Sequence, residues 1–193
     1  PRPGALAVME QMRTLGMDQL VMLSGDNQRV ADAVARSVGI DRAFGHLMPD
    51  DKVEAIRKLR ARGEVAMVGD GVNDAPALAS ASVGIAMGAA GSDAALETAD
   101  VALMGDRLDR LPFVVALSRQ SRRIIRQNLW ASLGMVAVLV PATILGMKMG
   151  VAVLFHEGST LLVVANALRL LAFREHAVPA LLTDAPVKQA PSG

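Results

Sequence analysis

The residues best equipped for chemistry lie in one string, Met67–Leu78, reading MVGDGVNDAPAL. Asp70 and Asp74 flank Asn73, so hard oxygen donors converge on one point. That set suits Mg²⁺, which takes a carboxylate or two together with phosphate oxygens and water. Gly69 and Gly71 let the backbone turn tightly beside a bound group. The other reading of the string is an Asx-rich turn in which Asp74 caps the helix that follows. Two weaker features belong with it. Ser24-Gly25-Asp26 offers a hydroxyl and a backbone N–H for a phosphoryl oxygen, although most such triplets are plain turns. Lys52 offers a point charge that can neutralise a phosphorylated acid, although a lone helical lysine is usually solvated.

The elements around these residues are those needed to present them. An apolar run, 19–23, reads as a buried strand and delivers Ser24 to its C-terminal end. A second, 65–69, delivers Asp70 in the same way. Ligands of open parallel sheets bind at that end. Helices are expected over 4–15, 28–38 and 50–62, stopped by Gly16, Gly39 and Gly63. Asn27 or Asp26 is expected to cap the second, and Pro49-Asp50-Asp51 opens the third. A weak strand near 43–47, a short helix over 75–81, strands over 83–87 and 101–104 and a small helix near 93–98 complete the alternation. That order implies an α/β fold, a parallel sheet covered on both faces.

Beyond Leu108 the composition changes. Apolar residues make up 52% of the 193, mean hydropathy is +0.35, and the excess sits between Leu129 and Leu171. Residues 108–127 read as a basic linker helix, with five arginines and no acid between Arg110 and Arg126. Leu129–Met147 carries no charge, and Val151–Leu168 is nearly as apolar. A spanning helix needs about 20 such residues. Only Lys148 lies between the two, while arginines flank the outer ends, so residues 128–174 read as a hairpin in a lipid bilayer with both ends cytoplasmic. A buried hairpin in a soluble core is the competing reading. A net charge of +1, and a basic run that leads straight into apolar sequence, give no reason to expect nucleic acid. Residues 175–193 read as a disordered tail. The absence of cysteine excludes disulfides and thiolate metal sites from this stretch.

Gly69–Leu78, GDGVNDAPAL, resembles the hinge signature of P-type ATPases, within the haloacid-dehalogenase-like superfamily. The order of motifs matches as well, with Ser24 where that family usually has threonine. The resemblance implies the C-terminal half of a phosphorylation domain over 1–107, a partial Rossmann-like sheet, followed by the transmembrane pair. By resemblance, Ser24 and Gly25 contact the phosphoryl group with Asp26 beside them, Lys52 stabilises it, Asp70 binds Mg²⁺, and Asn73 and Asp74 complete the site. The family phosphorylates an aspartate in a DKTGT segment, which these residues lack. The nucleotide-binding insertion for ATP, the actuator domain and the earlier membrane helices are not in it either. Beginning at Pro1, the chain is expected to be a fragment that cannot by itself form the acyl-phosphate.

The second apolar stretch contains His156-Glu157-Gly158-Ser159-Thr160. An ionisable pair inside a membrane helix is costly and usually functional. His156 lies ~8 Å below Val151 and shares a face with Thr160, while Glu157 projects about 100° away. Imidazole with carboxylate favours a divalent transition metal over Na⁺ or K⁺, making His156, Glu157, Ser159 and Thr160 candidate ligands of a transported ion. Close packing at Gly158, or an interfacial position for the pair, are the plainer alternatives. HEGST followed by Asn166-Ala167-Leu168-Arg169 resembles the last helix of the cobalt- or zinc-type metal pumps. Zinc/cadmium/lead pumps carry a lysine eight residues after the Asn of the preceding helix, where this chain has Val136 after Asn128. They also carry Asp-x-Gly in the last helix, where it has Glu157-Gly158-Ser159. Copper pumps use Met and Ser there. The expectation is therefore ATP-driven export of a Co/Zn/Ni/Fe/Cd-like cation. A haloacid-dehalogenase-type phosphatase with a hydrophobic anchor, and a non-catalytic pump remnant, are the alternatives.

Overall fold

The structure, a computed structural model, describes residues 3–70, 73–88, 97–104 and 107–173. The chain divides into two compact units, residues 1–112 and 113–193.

The first unit alternates helix and strand as the sequence implies. Helix α1 (Ala5–Thr14) buries Ala5, Val8 and Met12, one stripe at helical spacing. Strand β1 (Val21–Leu23) leads to α2 (Gln28–Val38), which is capped by Asn27, whose side chain accepts from the Arg29 N–H at 2.8 Å. Of the two expected caps, Asn27 is the one used. Strand β2 (Arg42–Phe44) follows, then α3 (Pro49–Arg60), β3 (Ala66–Gly69), α4 (Ala75–Ser80), β4 (Val83–Met87) and β5 (Val101–Leu103). The helix expected over 93–98 lies outside the described residues except for its last two positions.

All pairing is parallel, but the single expected sheet is two. β1 pairs with β2, in register Val21 with Arg42 and Leu23 with Phe44. β3, β4 and β5 form a second sheet in that order. Among the described residues, β1 and β3 each have one edge without a strand beside it. The two sheets nevertheless share a core. Ile56, Met67, Ala77, Leu78 and Ala86 are buried together, and Leu23 of β1 and Val53 of α3 pack against them. A second anchor holds the far end of β1. Arg13 reaches the Gly39 carbonyl at 2.6 Å and the Asp41 carboxylate at 2.7 Å, and that carboxylate accepts from the Leu20 N–H at 2.7 Å.

The second unit is a helical hairpin. Its first helix, α5, runs unbroken over Leu111–Ile144. The basic segment and the first apolar segment are thus one helix, because nothing between Arg119 and Leu133 interrupts it and arginine and leucine are good helix formers. At 1.5 Å per residue it is ~51 Å long, well beyond a hydrocarbon core of ~30 Å. Pro141 is accommodated inside it. A turn through Gly146 leads to α6 (Met149–Leu168), followed by a 3₁₀ turn over Arg169–Ala172. Residues 108–144 and 149–172 are each long and apolar enough to cross a bilayer. At the open end of the hairpin, the rings of Phe113 and Phe173 stack with centroids 5.8 Å apart. The tail expected over 175–193 lies outside the described residues.

Candidate functional site

The Ser24 turn is built by the loop after β2. The Ser24 N–H donates to the Phe44 carbonyl at 2.9 Å, the Leu47 N–H to the Ser24 carbonyl at 3.0 Å, and the His46 N–H to the Asp26 carbonyl at 2.7 Å. Within the turn, the Asp26 N–H donates to Ser24 Oγ at 3.1 Å, and that hydroxyl donates to Asp26 Oδ2 at 3.2 Å. Asp26 thus orients the Ser24 hydroxyl. Gly25 is exposed beside them. Gln28 fixes the loop from below. Its amide nitrogen donates to Asp32 and to the Ala43 carbonyl, and its carbonyl oxygen accepts from the Gly45 N–H at 2.5 Å. Gly45 approaches so closely that a Cβ there would lie 2.5 Å from Gln28 Cα. Sequence reasoning passed over Gln28 and Gly45. Their only signal was a polar residue in the first turn of α2 and a glycine after a strand.

At the end of β3 the structure joins Lys52 and Asp74 directly. Lys52 Nζ and Asp74 Oδ1 are 2.5 Å apart, with the two side chains only 15% and 17% exposed. Lys52 is therefore not a solvated lysine. Nor does the Asp74 side chain cap α4, since no capping hydrogen bond is made there. Gly69 makes room for this pair. A Cβ at position 69 would lie 3.0 Å from both Cβ and Oδ2 of Asp74. Asp70 is exposed one residue on, and its Oδ1 accepts from the Asn73 N–H at 3.3 Å. Gly71 lies outside the described residues. Residues adjoining the three motifs share one core. Leu23, immediately before Ser24, Val53, immediately after Lys52, and Met67 of β3 meet in one cluster.

Carboxylate oxygens at the end of a parallel strand, with an ammonium beside one of them, fit Mg²⁺ and a phosphoryl group in their chemistry. Asp74 pairs with Lys52, and Asp70 lies exposed at the end of β3.

In the hairpin, His156 and Glu157 are exposed. The hydroxyls of Ser159 and Thr160 both donate to the His156 carbonyl, at 2.7 and 3.2 Å, so the helix itself satisfies them as donors. Among the described residues, no third acid or imidazole joins the pair in a metal-sized cluster. A second polar group went unassigned in the sequence. Asn166 donates to Asn128 Oδ1 at 2.8 Å and to Gln127 Oε1 at 3.3 Å, and accepts from Arg169 at 3.1 Å. Asn128 in turn donates to the Val163 carbonyl at 3.4 Å. These amides clasp α5 to α6. Their signal was legible, because an amide in an apolar helix has to find a partner.

A family model for haloacid dehalogenase-like hydrolases matches residues 1–82, which contain the Ser24 turn, Lys52 and the string around Asp70. The fold is thus a haloacid-dehalogenase-like α/β domain followed by a helical hairpin. Similarity to curated proteins extends across both parts. The chain is 48% identical over 176 residues to the probable cadmium-transporting ATPase of Listeria monocytogenes, covering 90% of this chain and 25% of that protein. It is 48% identical over 169 residues to the probable cation-transporting ATPase G of Mycobacterium tuberculosis, covering 87% and 22% respectively. A crystal structure of a zinc-transporting PIB-type ATPase in its E2.Pi state superposes with a TM-score of 0.81 at 45% identity, over 88% of this chain and 28% of that one. Over nearly nine-tenths of its length the chain is thus similar to heavy-metal-transporting P-type ATPases. It spans about a quarter of the length of the curated relatives it matches.

Proposed function

We propose that this chain forms the rear half of the phosphorylation domain and the last two membrane helices of an ATP-driven exporter of a divalent transition-metal cation. The observation that carries this reading is the Lys52–Asp74 pair beside Asp70, on the same core cluster as the residue before Ser24. In the whole protein, an aspartate-bearing strand from elsewhere in the pump lies between the open edges of β1 and β3 and joins the two sheets into one. The Ser24 hydroxyl and Gly25 N–H then hold oxygens of its phosphoryl group. Lys52, fixed by Asp74, neutralises their charge. Asp70, with Asn73 bracing its loop, holds Mg²⁺, which supplies further neutralisation of the phosphoryl oxygens when bound. Nucleotide and actuator functions come from the remaining domains.

The hairpin supplies one wall of the transport path, with both its ends cytoplasmic. His156 and Glu157 face the cargo, with Ser159 and Thr160 as further oxygen donors, and earlier helices complete the ligand set. Imidazole plus carboxylate suits a borderline divalent ion such as cobalt or zinc. The HEGST sequence supports the cobalt-type subgroup over the cadmium-type relatives.

Two experiments test the halves separately. In the whole pump, Asp70→Ala should abolish phosphorylation by labelled ATP in the presence of Mg²⁺, whereas the 193-residue chain alone should take up no label. Labelling of the isolated chain would refute the assignment of its nucleophile to another segment. Glu157→Ala should weaken metal-stimulated ATPase activity and leave the soluble domain folded. Undiminished metal stimulation in that variant would remove Glu157 from the transport path.

A further inference from the structure

The outer face of α5 carries one continuous stripe. At 100° per residue, Arg119, Arg122, Arg123 and Arg126 fall within about 100° of arc on one side of the helix. The same side continues, at spacings of four, three, seven and four, through Trp130, Leu133, Val140 and Ile144, and all eight of these residues are exposed. The side turned to α6 is the opposite one. It is marked by Asn128, which bonds across to α6, and by half-buried Met135, Leu139 and Ala142. Read from its N-terminal end, the outer face is thus four cations, then an aromatic, then aliphatics. That succession matches the layers of a bilayer from headgroup to hydrocarbon.

The arginines have no acid to answer them. None occurs in the sequence from Arg110 to Arg126, and none of the four stripe arginines makes an ion pair among the described residues. Asp109, the nearest acid before them, is taken by Arg107. Guanidinium groups pair with phosphate through two parallel hydrogen bonds. A stripe of them at the depth where the apolar span begins meets phosphodiester headgroups before anything else.

We propose that this stripe is a binding surface for anionic phospholipid headgroups of the cytoplasmic leaflet, with Arg119, Arg122, Arg123 and Arg126 as the contacting residues. The inference rests on α5 spanning a membrane and is independent of the cargo. Its test uses a reporter the chain already contains, since Trp130 is the sole tryptophan and lies on the stripe. The full chain is reconstituted in a fixed mixture of phosphatidylcholine with a minority of phosphatidylglycerol. Brominated acyl chains, which quench tryptophan on contact, are placed on one lipid or, in equal amount, on the other. Each basic residue near an anionic surface attracts with about 1 kcal/mol, so the glycerol lipid should quench about two- to fivefold more strongly, mole for mole. Added salt should shrink that excess. The variant with all four arginines changed to Gln should lose it, and the variant with all four changed to Lys should keep most of it.

Equal quenching by the two lipids in the unmodified chain would overturn the proposal. So would no quenching by either, which means that protein covers this face, or an excess that survives in the Gln variant. If the Gln variant fails to insert, the salt series on the unmodified chain decides, and a salt-insensitive excess refutes the proposal. Release of the chain by alkaline carbonate would instead overturn the spanning reading itself.

Discussion

Breaking the Lys52–Asp74 pair should cost the fold far more than breaking a surface ion pair. Exposed pairs contribute about 0–1 kcal/mol, whereas stranding one partner of a fully buried pair costs about 3–5 kcal/mol. With the two side chains 15% and 17% exposed, Lys52→Met should fall a little below the buried limit, at about 2–4 kcal/mol. The double variant Lys52→Met/Asp74→Leu removes both charges and should recover much of that loss. The coupling energy is expected at about 2 kcal/mol, within the range for residues in direct contact. Gly69→Ala attacks the same pair without touching a charge. Its methyl would sit 3.0 Å from Asp74, and forcing the carboxylate aside should cost about 1–3 kcal/mol, as overpacking does. Urea denaturation of the full chain in detergent, followed by far-UV circular dichroism, measures these three variants and the single variant Asp74→Leu that completes the cycle. Single-variant losses that simply add in the double variant would refute the inference that the pair acts as a unit. A Lys52→Met protein within 0.5 kcal/mol of the parent would do the same, placing the pair in the weak surface class.

Three further outcomes are expected. The Leu20 N–H, and then the Arg13 guanidinium, hold the Asp41 carboxyl below its ordinary value despite some opposing desolvation. A lowered folded value means that the stabilisation is complete above the unfolded carboxylate value of about 3.9 and is lost as pH falls through the folded one. Asp41→Asn should therefore flatten the acid limb of a stability-versus-pH curve below about pH 4 and lower stability at neutral pH. Gly45→Ala should destabilise the first unit by about 1–3 kcal/mol, because its methyl meets the backbone of Gln28; a denaturation midpoint unchanged from the parent would contradict the close approach. Asn166→Ala should loosen the hairpin by about 1 kcal/mol, the scale of interhelical hydrogen bonds in membranes, read as a shifted midpoint in a detergent-unfolding titration. An unshifted midpoint would show that the clasp holds nothing.

What the sequence made legible follows from how local each signal is. The stop at Gly39, the cap at Asn27 and the opening proline at position 49 depend on neighbours a few residues away, and those helices begin or end where such chemistry puts them. The string around Asp70 was readable because its residues are contiguous. The Lys52–Asp74 pair joins positions 22 apart, and nothing in either residue's vicinity names the other. Periodicity gave parallel strands but could not give their pairing, since β1 with β2 and β3 with β4 are equally consistent with alternation. The unbroken α5 was divided at the change from basic to apolar residues because composition shifts there, yet helix propensity does not.

The edges of β1 and β3 that no strand covers among the described residues carry a liability for the chain when it is made alone. A strand edge presents a row of N–H and C=O groups that will pair with any extended backbone in reach, including another copy of itself. Proteins usually blunt such edges with charge, proline or a bulge. Val21-Met22-Leu23 and Ala66-Met67-Val68-Gly69 carry none of the first two. The isolated polypeptide should therefore self-associate as its concentration rises. A synthetic peptide that adds a strand should suppress that clumping.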